Sequence, residues 1–248
     1  MEGAAAAAAA VVDERLRWRD LIPVLVSAVL GIILVFGLLF ALSRLDPGAY
    51  RANLETISLL SILAIYLAVA AGLVTALRNL RAPLRFLGMR WPTLRDLGLT
   101  LLLLLPWYLG IILVSALSSI VLNGGQVIPS NSRLVFVQRP HGVGLLLLAL
   151  LVTAVAAPVC EELFFRGMLF RLLRRRMALW AAVLLSAVAF ALAHASPLVS
   201  LALLPTFAFM GIVLALLYDR TGRLTNSILL HAMNNAVVTV IAYNLATR

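Results

Sequence analysis

The chain has no lysine, one cysteine, three histidines and only ten acidic residues in 248 positions. Each shortage excludes something. With Cys160 alone, no intramolecular disulfide can form, and no cysteine–histidine spacing of a structural zinc site exists. Phosphate-binding and dinucleotide fingerprints are missing, and so is H-E-x-x-H, the usual helix of zinc proteases. No duplicated half of the kind that builds many secondary transporters can be traced. Charged residues are 12% of the chain, against about 25% in soluble proteins.

What fills the chain instead is hydrocarbon. Hydrophobic residues make up 63% and the mean hydropathy is +1.07, so the chain reads as an integral membrane protein. A bilayer core takes roughly 20 apolar residues per helix. The apolar runs predict an all-α fold, a polytopic transmembrane helical bundle of about seven spans in a single domain, at 21–43, 56–77, 97–122, 143–162, 178–195, 198–218 and 224–245. The run after Arg19 is too long for a signal's central region and lacks a small-x-small cleavage site, so it is read as a retained first span. Residues 1–20 form an alanine-rich N-terminal segment, 21–96 a set of accessory helices with an inner loop, and 97–248 the core.

The net charge of +10 comes entirely from arginine. With the N-terminus cytoplasmic, fifteen of the 20 arginines fall on inner segments and five (Arg44, Arg51, Arg133, Arg139, Arg248) outside, which is the orientation the positive-inside rule favours. Basic charge in this setting points to anionic lipid, through Arg171, Arg174, Arg175 and Arg176, and not to nucleic acid. Trp18, Trp91 and Trp180 fall near inner edges, as an interfacial belt would.

Ionisable groups inside spans cost a few kcal/mol each on insertion scales and default to functional hypotheses. Three places qualify: "EELFFR" at 161–166, "FALAH" at 190–194 and "HAMNN" at 231–235. Glu162 and Arg166 stand four apart with the acid first, the favourable order for an ion pair along one face. Glu161 lies about 100° around the helix, free to face the bundle without a partner in its own segment. His194 stands one turn beyond Phe190; taken alone, such a histidine is more often a core residue bonded to a carbonyl. His231 and Asn235 share a face of the last span and could equally be an interhelical clasp, while Asn234 faces elsewhere. His141, between Pro140 and Gly142, reads as a loop residue.

Glu161-Glu162-x-x-x-Arg166, Phe190-x-x-x-His194 and His231-x-x-x-Asn235, in that order on separate spans, resemble the CPBP (Abi) family of intramembrane proteases, the CAAX prenyl endopeptidase and bacteriocin-processing type. The resemblance covers mainly residues 143–243 and makes 97–248 a protease-like core. It implies an intramembrane endopeptidase acting on a peptide or protein substrate in or at the membrane. Glu161, as general base, and His194 would hold and activate water, His231 and Asn235 would stabilise the oxyanion, and Glu162, Arg166 and Phe190 would support them. No cofactor is required in this reading. Zinc, held by Glu161, His194 and His231, is the alternative. A polar cavity open to one side is expected, on the cytoplasmic face of a bacterial plasma membrane. From other classes, a proton-coupled transporter would expect broken or duplicated helices, and a non-catalytic scaffold or immunity factor would not need Glu161 ionisable.

Depth poses a problem. At about 1.5 Å per residue, Glu161 lies roughly 20 Å from Arg174, His231 roughly 12 Å from Arg223, and His194 roughly 27 Å from Arg176. Straight parallel helices would not bring these three together, so tilt, a kink or a late-starting fifth helix is expected.

Overall fold

In hydrocarbon each backbone N–H and C=O must be bonded within its own segment, so an apolar run long enough to cross becomes helix. A computed structural model describes residues 16–78, 80, 82–122, 124–126, 142–195 and 201–246, and among these it is helical and has no strand. The helices are α1 (Leu21–Leu45), α2 (Leu54–Leu77), α3 (Leu94–Leu122), α4 (Val143–Arg174), α5 (Leu179–Ala193), α6 (Leu204–Thr221) and α7 (Leu224–Ala246). Six are long and apolar enough to span a membrane. The expected fifth span, 178–195, is the 15-residue α5, too short to count with the others. His141 and most of the expected outer loop, 123–142, lie outside the described residues, as does the alanine tract.

α4 is one continuous helix that runs from the span at 143–162 into an amphipathic extension ending at Arg174, as the residues after 162 lead one to expect. Pro158 has no N–H to send back to the Ala154 carbonyl, and the turn before it, Leu151–Ala156, is wound as π-helix. A second π stretch, Leu163–Phe170, follows the α-helical Ala157–Glu162. The wider winding is rare and is found often at functional sites. Here it brackets the two glutamates.

The arginine-rich end is stapled by side chains. Arg171 Nη1 donates to Phe86 O and to Tyr218 Oη, both at 2.9 Å, and Tyr218 Oη donates to Leu87 O at 3.0 Å. Arg175 Nη1 donates to Leu16 O at 2.9 Å, and Arg174 faces Asp219 at 3.4 Å. Two of the arginines read as lipid-facing, Arg171 and Arg175, thus hold protein carbonyls. Gly88 and Gly222 both have left-handed backbones (φ 78° and 62°) and lie back to back, close enough for Leu224 N to donate to Gly88 O at 3.0 Å. Thr225 Oγ1 adds bonds to the backbone of Arg90, accepting at 2.9 Å and donating at 2.6 Å. These bonds seat the α6–α7 turn against residues 86–90.

That seating resolves the depth problem. A Cβ on Gly167 would touch Leu224 Cδ2 at 3.6 Å, so α7 starts level with Gly167 and above the end of α4. Counting seven residues up α7 reaches His231, and counting six up α4 reaches Glu161. On the other flank, Phe165 and Phe190 meet edge to face at 5.2 Å. Glu161 is four residues above the first and His194 four above the second, so both arrive one turn higher at one level.

Candidate active site

Glu161 points into the bundle and presents two unlike oxygens. Oε1 accepts a hydrogen bond from Tyr66 Oη of α2. Oε2 has no hydrogen-bond partner among the described residues and faces His194 Nε2 at 3.6 Å and His231 Nε2 at 3.9 Å. The side chain is 12% exposed and that of His194 24% exposed, whereas His231 is buried.

The far nitrogens of both rings fix their tautomers. His194 Nδ1 lies 2.8 Å from Phe190 O, and a carbonyl can only accept, so Nδ1 carries the hydrogen. His231 Nδ1 lies 3.0 Å from Glu162 Oε1, an oxygen that also receives Arg166 Nη1 at 2.6 Å. A carboxylate paired with a guanidinium accepts, so this Nδ1 too is the donor. In their neutral forms both imidazoles therefore turn a bare Nε2 toward Glu161 Oε2. Three lone pairs converge, and only a donor or a cation can join them.

Glu162 and Arg166 are both fully buried. The guanidinium also donates through Nη2 to Gly211 O at 3.1 Å and lies 4.5 Å over the Phe190 ring. Gly211 permits this because α6 runs close to α5, where a Cβ would stand 2.8 Å from Ala187 Cα. Phe190 floors the site, 4.5 Å from the His194 ring and 5.8 Å from that of His231, and Phe207 stacks on His194 at 4.5 Å. Phe190 thus touches Arg166 and both imidazoles.

Asn235 is hydrogen-bonded to groups outside this cluster. Its Nδ2 donates to Thr153 O at 2.8 Å in the first π stretch, and its Oδ1 accepts from Asn234 Nδ2 at 3.1 Å. Asn234 Oδ1 in turn accepts from the buried Trp107 Nε1 at 2.9 Å. This chain of amides fixes the orientation of Asn235 and leaves one of its two N–H bonds without a partner among the described residues. Of the expected site residues, Glu161, Glu162, Arg166, Phe190, His194 and His231 are linked into one cluster by the contacts above, and Asn235, one turn above His231, makes its hydrogen bonds to Thr153 and Asn234.

Among the described residues no group of three or more His, Cys, Asp or Glu side chains is arranged to hold a metal ion. Two ligands at about 2.0–2.1 Å on a tetrahedral zinc are ~3.4 Å apart, closer than either Glu161–histidine separation. A groove of ≈ 880 Å³ runs between residues 84–92 and the Thr225–Leu229 face of α7, at the arginine-rich end. No site residue lines it.

Tyr66, Phe207, Trp107 and Thr153 are the contributors that residue patterns did not reveal. A tyrosine or tryptophan in an apolar span carries no periodic signal of its own. Only Asn234, a polar side chain in the last span, hinted at the third of these contacts.

The comparisons with known proteins fall on the same region. Residues 143–237 match the family model for Type II CAAX prenyl endopeptidase Rce1-like. YdiL of Bacillus subtilis (strain 168), whose name proposes a membrane peptidase, is 33% identical over 94 residues, covering 38% of this chain and 37% of that protein. An uncharacterized 24.3 kDa protein of Escherichia coli is 26% identical over 152 residues, 60% of this chain and 65% of that one. The chain thus spans less than two thirds of either relative. No solved structure matches it. The family match takes in Glu161 to Arg166, Phe190 to His194 and His231 to Asn235 together, so over residues 143–237 the chain is similar to the Type II CAAX prenyl endopeptidase Rce1-like family.

Proposed function

We propose that the chain is an intramembrane endopeptidase that hydrolyses a peptide bond of a membrane-associated or lipidated protein or peptide. The observation that carries this reading is Glu161 Oε2 facing two bare imidazole nitrogens across gaps of 3.6 and 3.9 Å. Gaps above about 3.5 Å between polar atoms suit a bridging water, whose two hydrogens can serve two of the three lone pairs at a time.

In the proposed reaction Glu161 takes a proton from that water as its oxygen attacks the scissile carbonyl. The carbonyl oxygen becomes an oxyanion, received by the second N–H of Asn235 and by His231. His231 can donate from Nε2 only as imidazolium, and Glu162 Oε1 accepts from its Nδ1 in either form. Collapse of the tetrahedral intermediate expels the amine, which takes the proton held by Glu161, leaving a carboxylic acid and a free amine. Glu162 and Arg166 hold the cluster, and no cofactor enters. Donors fixed in a water-poor site supply several kcal/mol of such stabilisation. The same three lone pairs are also the donor set of the zinc alternative, which retained cleavage in chelator, with no metal in the pure protein, would eliminate.

The N-terminus is assigned to the cytoplasm of a bacterial plasma membrane, from the arginine distribution. Arg85 and Arg90, which rim the ≈ 880 Å³ groove, and the exposed Arg176 are the candidates for anionic lipid. The deciding experiment incubates purified protein and its Glu161→Gln variant in vesicles with a quenched-fluorescent farnesylated peptide, and separately captures bound proteins on the variant for mass spectrometry. Cleavage that the variant abolishes, or capture of a peptide that wild type cuts, supports the reading. A wild-type chain that cuts neither probe nor captured protein refutes it.

A further inference from the structure

We propose that Tyr66, on α2 and outside every motif, is a positioning residue that aims the Glu161 carboxylate. The inference rests on the hydrolase reading for its kinetic consequence, but its structural content stands apart from it. A glutamate side chain can turn its carboxylate about the terminal bond, and its two oxygens are equivalent until the surroundings distinguish them. Here they are distinguished by one group. Tyr66 Oη donates to Oε1, and this is the only hydrogen bond to Glu161 among the described residues.

The imidazoles cannot take over that task. Their N–H groups are committed to Phe190 O and Glu162 Oε1, and the nitrogens they turn toward Glu161 are acceptors in the neutral rings. Lone pairs facing lone pairs repel. Without the phenol, nothing described here would hold the carboxylate with Oε2 toward the histidines, and the least repulsive response is to turn away from them. Tyr66 therefore opposes the repulsion that the arrangement of the two histidines creates.

The phenol is itself held in place. Cys160, the residue before Glu161, lies with its Sγ 3.6 Å from Tyr66 O as donor, so the two helices are joined at that level by backbone as well as side chain. The polypeptide thus reaches the site from α2, in a part of the chain that the family match does not cover.

The test uses the full-length protein in vesicles. Infrared difference spectra of wild type minus Glu161→Gln isolate the carboxylate stretch of Glu161, and the same subtraction is made in a Tyr66→Phe background. Loss of the donor is expected to raise the antisymmetric stretch and, with the farnesylated peptide as probe, to lower kcat by about ten- to hundredfold at unchanged KM, the range of a hydrogen bond to a charged group. Incorporation of 3,5-difluorotyrosine at position 66 keeps the shape and strengthens the donor, and is expected to move the band the other way while the phenol stays protonated. This variant also covers the case in which Tyr66→Phe folds poorly. A band unmoved in the folded variants, or a Tyr66→Phe enzyme with wild-type kcat, overturns the proposal. If the wild-type chain cuts no probe, the hydrolase reading fails by itself, and the band still decides whether Tyr66 orients Glu161.

Discussion

The α1–α2 pair and the α4–α7 cluster hold helices together in lipid by opposite means. Between α1 and α2 the contact is one of shape: a Cβ on Gly72 would stand 2.7 Å from Val24 Cα and 2.8 Å from Pro23 O, so the backbones are as near as a bare glycine allows. Many other side chains on α1 face outward, Leu34 and Phe36 among them. In the α4–α7 cluster, Glu162, Arg166 and His231 are buried together and joined by hydrogen bonds that cross three helices. Lipid offers no water to drive apolar helices together, so each region relies on what remains, close packing or polar bonding. A shape contact can be loosened by degrees. A buried charge network, by contrast, fails when any one member is removed.

The largest expected effect tests the chemical end of this contrast. Glu161→Gln keeps the size and both polar atoms but cannot accept a proton, so kcat should fall by about 10²–10⁴, with thermal stability in detergent close to wild type. Loss of stability together with activity would mean that Glu161 is a structural member of the cluster.

Next comes Arg166→Met. Removing one partner of a buried pair strands the other charge, and the cost is about 3–5 kcal/mol. SDS titration of the purified protein should show that loss. The double variant Glu162→Leu/Arg166→Met should recover much of it, because replacing both charges removes the stranded one, yet remain inactive because His231 loses the acceptor on its Nδ1. A double variant as unstable as the single one would show that the Gly211 carbonyl and the Phe190 ring, not the ion pair, set the stability.

Much of this was legible in the sequence, and what was not has a physical reason. Glu162 with Arg166, Phe190 with His194, and His231 with Asn235 are each four apart, so helical periodicity alone puts each pair on one face. Which faces meet depends on where each helix begins. Pro197 marks the end of α5, but no residue marks how deep its first turn sits, and the depth of α7 depends on Gly88 and Gly222, whose contact joins residues far apart in sequence. Tyr66 was hidden for a similar reason. Its partner is 95 positions away, and one tyrosine among leucines and alanines has nothing to set it apart.

The shape end of the contrast is tested by Gly72→Leu. The new side chain would meet backbone on α1, which cannot swing aside, and overpacking of this kind costs about 1–3 kcal/mol. Because Tyr66 lies on the same helix, displacement of α2 should also lower kcat, by no more than Tyr66→Phe does. A kcat loss as large as that of Glu161→Gln would show that α2 supports more of the site than its phenol.

The smallest effect is expected where a charged pair resembles the buried one but sits in another environment. Arg223 Nη2 lies 2.7 Å from Asp96 Oδ2, nearly as close as Arg166 to Glu162, yet the Arg223 side chain is 27% exposed where Arg166 is 0% exposed. Asp96 has other work. Its carboxylate accepts from Thr93 N and Thr93 Oγ1, both at 2.7 Å, while Thr93 Oγ1 receives Asp96 N at 3.3 Å, the reciprocal pattern that caps the start of α3. Asp96→Asn retains an oxygen for the Thr93 N–H and loses only the charge. With solvent within reach of the arginine, the pair should contribute no more than about 1 kcal/mol, and Asp96→Ala, which also removes the cap, about 1 kcal/mol further. SDS titrations of the two variants at low and high salt separate these contributions. The charge-dependent part should shrink in salt and the capping part should persist. An Asp96→Asn loss as large as that of Arg166→Met would mean that distance, and not exclusion of water, sets the strength of ion pairs in this protein.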